Sequence, residues 1–239
     1  MILRFFAALA VLMLPAALFP APAFAAPATN WLTTVTATPD HSHVLGNPNA
    51  KVRLIQFVSY TCPHCAHFEE ASEAPLKTMG LANGTLSVEV RHMLRDPVDL
   101  AVALATNCGP TEKFFGNHQA FMAHQDSWIQ PLVNPTDAQQ KRWGAPDFAT
   151  RMRNIAQDFG IMRIMAGRGY TPAQLDKCLT DKAHADVLAK QSNDDAKALQ
   201  IDGTPSFAVR EIVQGQPKIT RLFGTFDWAT LEPQLRARL

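Results

Sequence analysis

Apolar and polar positions change their spacing repeatedly along the chain, and each change marks an element. Residues 5–19 are apolar throughout and interrupted only by Pro15. Lys51–Ser59 has Val-Arg-Leu-Ile-Gln-Phe-Val at its centre, a near-continuous apolar run that predicts a strand buried on both faces. Helical spacing follows from Cys62 to about Gly80. Its expected inner face is Phe68, Ala71, Pro75, Leu76 and Met79, with a kink or break at Pro75. Thr85–Met93 alternates Leu86, Val88 and Val90 with Ser87, Glu89 and Arg91, the pattern of a strand covered on one face. A short strand is predicted near Thr33–Ala37.

The middle of the chain reads as helical. Asp96-Pro97 is a cap followed by a first-turn proline, and Val98–Cys108 is closed by Gly109-Pro110. Further helices are expected over Thr111–Gln125, two within Ala145–Arg168, where Gly160 leaves their division open, from Thr171-Pro172 past Cys178, and over Ala183–Leu199. Strand patterns return at Pro205–Arg210 and Lys218–Phe223, joined by a Gly-Gln-Pro turn. Asp227 then caps a last helix reaching Leu239. The order is β-β-α-β, a helical block, then α-β-β-α. The helical block therefore interrupts an α/β domain.

Composition narrows the function classes. The 239 residues hold one or two domains, and 47% of them are apolar, enough for a sizeable core. With 22 Lys+Arg against 21 Asp+Glu, charge gives no reason to expect nucleic acid or an anionic membrane as partner. High apolar content with low net charge also excludes a disordered chain. The apolar run after Arg4, followed by Ala23-Phe24-Ala25, reads as a signal peptide over residues 1–25, cut before Ala26. Export would place the four cysteines where disulfides form and persist. By number alone they allow two bridges or one metal site.

Cys62-Pro63-His64-Cys65 falls where the buried strand ends and a helix begins. Free N–H groups and the positive end of the helix dipole favour an anion there, so the Cys62 thiolate is stabilised. His64 adds a positive charge or an N–H donor in the same turn, and Pro63 suits the first helical position. Cys65, one turn further in, is the more covered thiol and can resolve a mixed disulfide. Stabilising the thiolate stabilises the reduced form and makes the disulfide a better oxidant. A c-type haem site needs His directly after the second cysteine, and that residue is Ala66. Zinc would need His67, His41 or His43 to complete a ligand set, and no second pair has the usual ligand spacing. No metal and no cofactor is expected.

Phe57–Glu70, with Cys-Pro-His-Cys followed by Ala-His-Phe-Glu-Glu, resembles the active-site segment of DsbA-type thiol–disulfide oxidoreductases. Val44–Val52 also resembles the strand leading into it in that group. The resemblance implies a thioredoxin fold with an inserted α-helical domain. Its parts would be residues 26–95 and 183–239, with the insert over 96–182. It also implies that Pro205, in Gly203-Thr204-Pro205, is the cis-proline facing the cysteines. Thr204 and Pro205 would then pair with an extended substrate.

With Cys62 and Cys65 as the redox pair, Cys108 and Cys178 remain, and a subset of DsbA-like proteins carries a similar second bridge. Such a bridge would stabilise by about 4 kcal/mol in the chain-entropy model. Two buried free thiols are the alternative. One position departs from the family: six residues before the first cysteine, where many members have an acid, stands Gln56. It cannot titrate, so a proton relay would have to use Glu69, Glu70, Glu89 or Asp202. Without a buried negative charge there, the Cys62 thiolate should be favoured further.

These readings favour a periplasmic oxidase that introduces disulfides into unfolded or reduced exported proteins. The resemblance implies a membrane quinone-linked reoxidant of the DsbB type. A monomer without nucleic-acid partners is expected. The alternatives are a disulfide isomerase or reductase, for which Thr before the cis-proline speaks, and a non-enzymatic chaperone or metal-binding module on the same fold. Only about 25 residues separate the signal cut from the first strand of the motif, too few for an isomerase's additional dimerisation domain.

Overall fold

The computed structural model describes residues 29–239, so the signal-peptide segment lies outside the described residues. Six strands form one sheet: β1 (Val35–Ala37), β2 (His43–Gly46), β3 (Val52–Val58), β4 (Leu86–His92), β5 (Ser206–Val213) and β6 (Gln216–Leu222), in the order β1-β2-β4-β3-β5-β6. Only β3 and β4 pair in parallel; β1–β2, β2–β4, β3–β5 and β5–β6 are antiparallel. Helix α1 (Pro63–Leu76) connects β3 towards β4, as a parallel pair requires. The result is a thioredoxin fold with an inserted helical domain, as the resemblance implies.

Two helical layers cover the sheet. On one face Phe68 and Leu76 of α1 and Leu231 and Leu235 of α11 (Trp228–Arg236) pack on Leu54, Val88, Phe207 and Val209. On the other face Ile55, Phe57 and Ala208 meet Ala196 of α10 (Lys182–Ala198). Eight α-helices and one short 3-10 turn, Thr111–Lys113, lie between β4 and α10: α2 (Pro97–Thr106), α3 (Phe114–Met122), α4 (Gln125–Trp128), α5 (Gln130–Val133), α6 (Asp137–Trp143), α7 (Phe148–Asp158), α8 (Ile161–Gly167) and α9 (Pro172–Leu179). Their core of Phe121, Trp128, Met152 and Ile155 extends without a break to Tyr60, Cys62 and Cys65. The insert therefore packs directly against the cysteine turn.

Local signals set the helix ends. Asp96, Thr171 and Asp227 cap α2, α9 and α11, each accepting a backbone N–H three residues on. Gly160 adopts φ 63° between α7 and α8, a left-handed value that glycine takes without steric cost.

Other expectations need correction. All seven residues of β4 are buried, so it is not half-covered. Its polar face is closed by an ion network in which Arg91 meets Glu89 at 2.6 Å and Asp195 of α10 at 2.8 Å, while Arg53 meets Glu89 at 3.2 Å. Helix α1 runs through Pro75 to Leu76 and then widens into a π-type turn, Lys77–Leu81. Ala71 is exposed, and Ser72 takes its place on the inner stripe with Cys65, Phe68 and Leu76. The β5–β6 turn lies one residue earlier than read. Gln214 and Gly215 both have positive φ, and Pro217 is already paired with Ile212 on the edge strand, where no ladder donor is missed.

Candidate active site

The cysteine turn is built from the end of β3. After Val58 the chain leaves the sheet, and Cys62 caps α1 with extended backbone (φ −99°, ψ 115°), while Pro63 occupies the first turn. A helix start leaves its first N–H groups unsatisfied, and here those of His64 and Cys65 act on the Cys62 sulfur. Both cysteines are free thiols, Cys62 at 3% exposure and Cys65 at 0%.

Their acidities are pushed apart. The Cys65 thiol donates to the Cys62 sulfur and, with the Thr204 side chain and the backbone N–H groups of Cys65 and His64, lowers the Cys62 pKa to about 5; burial opposes this. Burial raises the Cys65 pKa well above the ordinary thiol value, and the neighbouring Cys62 adds to it. As a thiol, Cys62 donates to the Thr204 carbonyl oxygen at 3.2 Å. As a thiolate it needs donors instead, and the buried Thr204 hydroxyl, which makes no geometric hydrogen bond among the described residues, acts on both cysteines. His64 contributes through its backbone, while its exposed ring forms no hydrogen bond within the described residues.

The Thr204-Pro205 peptide bond is cis. The β3–β5 register pairs Phe57 with Ser206, which places Thr204 opposite the chain just beyond the end of β3. Beside it lies a surface cavity of about 470 Å³ lined by His64, Thr204, Pro205, Arg221 and Phe226. Phe226 at this cavity is 68% exposed, and Phe223, on which Arg221 stacks, is 65% exposed.

The insert supplies contacts that the sequence did not point to. Asp99 of α2 accepts the Tyr60 N–H at 2.8 Å and the Arg95 N–H at 3.2 Å, and burial raises its pKa to about 7. Asp96 accepts the Thr61 hydroxyl at 2.8 Å. Gln125 Nε2 donates to the Tyr60 carbonyl at 2.7 Å and to the Cys62 carbonyl at 3.0 Å. The Tyr60 hydroxyl donates to Thr106 at 3.1 Å and lies 2.9 Å from His118 Nδ1. Asp96 was legible as a helix cap but not as a partner of Thr61. Gln125 carries no sequence signal at all.

Gln56 is 1% exposed, and its Oε1 has no partner among the described residues. Of the carboxylates considered for a relay, Glu69 lines the same cavity as Gln56 and stands 3.4 Å from His118 Nε2. Glu89 is engaged by Arg53 and Arg91, and Asp202 pairs with Arg221 at 3.3 Å. Glu70 is exposed on α1. Cys108 and Cys178 are joined across 70 residues by a 2.05 Å S–S bond, tying the end of α2 to α9. Among the described residues no three His, Cys, Asp or Glu side chains converge as a metal site.

A family model described as Thioredoxin matches residues 38–222. A crystal structure of a protein-disulfide isomerase from Novosphingobium aromaticivorans is 48% identical, with TM-score 0.76 over 82% of this chain and 96% of that one. Wolbachia pipientis α-DsbA1 shares the fold, with TM-score 0.66 at 20% identity over 85% of this chain and 92% of that one. A Rickettsia conorii protein named for protein-disulfide oxidoreductase activity is 26% identical over 83% of this chain, which spans 64% of that protein's length. The chain belongs to the thioredoxin family.

Proposed function

We propose that the protein is an exported thiol–disulfide oxidase acting through Cys62 and Cys65. The observation that carries this reading is the divergence of the two thiols. Cys62 is surrounded by donors that hold its pKa near 5, whereas Cys65 is held as a thiol. A stabilised thiolate favours the reduced enzyme and so makes its disulfide oxidising.

In this reading a substrate thiolate attacks the Cys62 sulfur, the Cys62–Cys65 bond breaks, and Cys65 leaves with the electron pair and takes a proton. A second substrate thiolate then attacks the substrate sulfur of the mixed disulfide and displaces the Cys62 thiolate. The substrate leaves as a disulfide and the enzyme as a dithiol. Electron balance thus limits Cys65 to resolving mixed disulfides in the opposite direction, when substrate is reduced. Thr204, Pro205 and the Phe223–Phe226 surface bind the reduced, unfolded chain. The partners are exported proteins in the periplasm and a quinone-linked reoxidant of the DsbB type. The working form is a monomer, with residues 96–182 as its helical domain.

The second reading is a disulfide isomerase or reductase. The 48%-identical relative described as a disulfide isomerase and Thr204 before the cis-proline favour it. Equilibration with glutathione and refolding of reduced and of scrambled ribonuclease, with Cys62→Ala as control, separate the readings. An oxidising potential with fast action on reduced ribonuclease supports the oxidase. Faster action on scrambled ribonuclease supports the isomerase. Full activity in the Cys62→Ala variant would sink both, and a wild type that does not exchange with glutathione would leave a non-enzymatic chaperone.

A further inference from the structure

Gln125 opens α4 in the helical insert and is 2% exposed. Its side-chain nitrogen has two hydrogens, and each meets a carbonyl of the cysteine turn: Tyr60 at 2.7 Å and Cys62 at 3.0 Å. The Cys62 carbonyl also accepts the Cys65 N–H at 3.1 Å. One amide therefore spans the peptide plane after Tyr60 and the plane after Cys62, and the Cys62 α-carbon lies between them. On the other side of the same turn, Asp99 takes the Tyr60 N–H and Asp96 takes the Thr61 hydroxyl.

We infer that Gln125 is a positioning residue that sets the redox balance of Cys62 from the helical insert. Fixing both planes fixes the direction of the Cys62 sulfur and of the following His64 and Cys65 N–H groups. Those groups act on the sulfur only when correctly aimed, because hydrogen bonds weaken steeply with misalignment. An insert that carries neither redox cysteine thus controls their equilibrium. This rests on the redox role of Cys62 and Cys65 under the proposed function.

The test compares wild type with Gln125→Met, which keeps the length but donates nothing, and Gln125→Glu, which keeps the shape but as a carboxylate only accepts. Folding is checked by circular dichroism. Absorbance of the thiolate is followed against pH, and the dithiol–disulfide equilibrium is measured against glutathione. Both variants are expected to titrate at higher pH and to shift the glutathione equilibrium about fivefold towards the enzyme disulfide. A residue that merely supports the fold would lower thermal stability and leave both readouts at wild-type values. That result, in whichever variant folds, overturns the inference. Failure of wild type itself to exchange with glutathione would instead overturn the proposed function.

Discussion

The Cys62 thiol lies 3.2 Å from the Thr204 carbonyl oxygen, although 142 positions separate them in the chain. The antiparallel β3–β5 register produces this approach by placing Phe57 opposite Ser206, which leaves the residues beyond each strand end facing one another. The same meeting turns the Thr204 hydroxyl, a buried donor without a geometric hydrogen bond among the described residues, towards both cysteines.

Thr204→Val keeps the shape and removes that donor. A hydrogen bond to a charged group contributes about 1.5–3 kcal/mol, so the Cys62 titration should move up by about one to two pH units. Thiolate absorbance against pH measures this directly. A midpoint that stays near 5 would show that the backbone donors and Cys65 suffice.

Acid should destabilise the fold through the imidazoles of buried His92 and half-buried His43. Burial holds His92 down to about 3 and His43 to about 4. In the unfolded chain both protonate near 6.5, so below that pH the unfolded state binds more protons. Stability is lost as pH falls from about 6.5 towards 4, by up to about 1.4 kcal/mol per pH unit for each ring. Asp99, raised to about 7 by burial, works in the opposite direction over much of that range, so the comparison must isolate one group. His43 stacks on Phe114 with ring centroids 3.9 Å apart, and His43→Phe preserves an aromatic face there. Urea unfolding at several pH values should show the variant gaining on wild type as pH falls from 6.5 to 4. A constant difference across that window would count against this assignment.

The bridge in the insert should matter for stability. Replacing both Cys108 and Cys178 by serine releases a cross-link between positions 70 residues apart and should cost about 2–4 kcal/mol in urea unfolding. Cys62 and Cys65 would still form their own disulfide, measurable by counting thiols. An unchanged unfolding midpoint under oxidising conditions would refute the expected contribution.

Phe226 is 68% exposed at the cavity beside Thr204, Pro205 and His64. Exposed aromatic surface beside a candidate redox turn offers binding contact for an unfolded chain. Phe226→Ser should raise KM for a cysteine peptide with apolar flanks by about three- to tenfold and change kcat little. Equal kinetics for both proteins would place peptide binding elsewhere.

The sequence carried much of the fold because its clearest signals are local. Caps such as Asp96, Thr171 and Asp227 act within one helical turn, and the apolar run of β3 acts within one strand. The alternation of β4 was also visible, but burial of Glu89 and Arg91 was not. It depends on Asp195, 104 residues beyond Arg91, arriving on α10 as counter-charge. Short helices α4, α5 and α6 left no comparable periodicity, since one or two turns cannot establish a face.

By itself, the sequence determined that a Cys-Pro-His-Cys turn stands at a strand end where a helix begins, and hence that an anion is favoured there. Only the tertiary structure decided which groups meet that turn: Thr204 across the sheet, Asp96 and Asp99 from α2, and Gln125 from α4. The physical reason is range. Periodicity and capping are settled between residues a few positions apart, whereas a donor aimed at the turn from a distant element is placed by strand register and core packing summed over the chain.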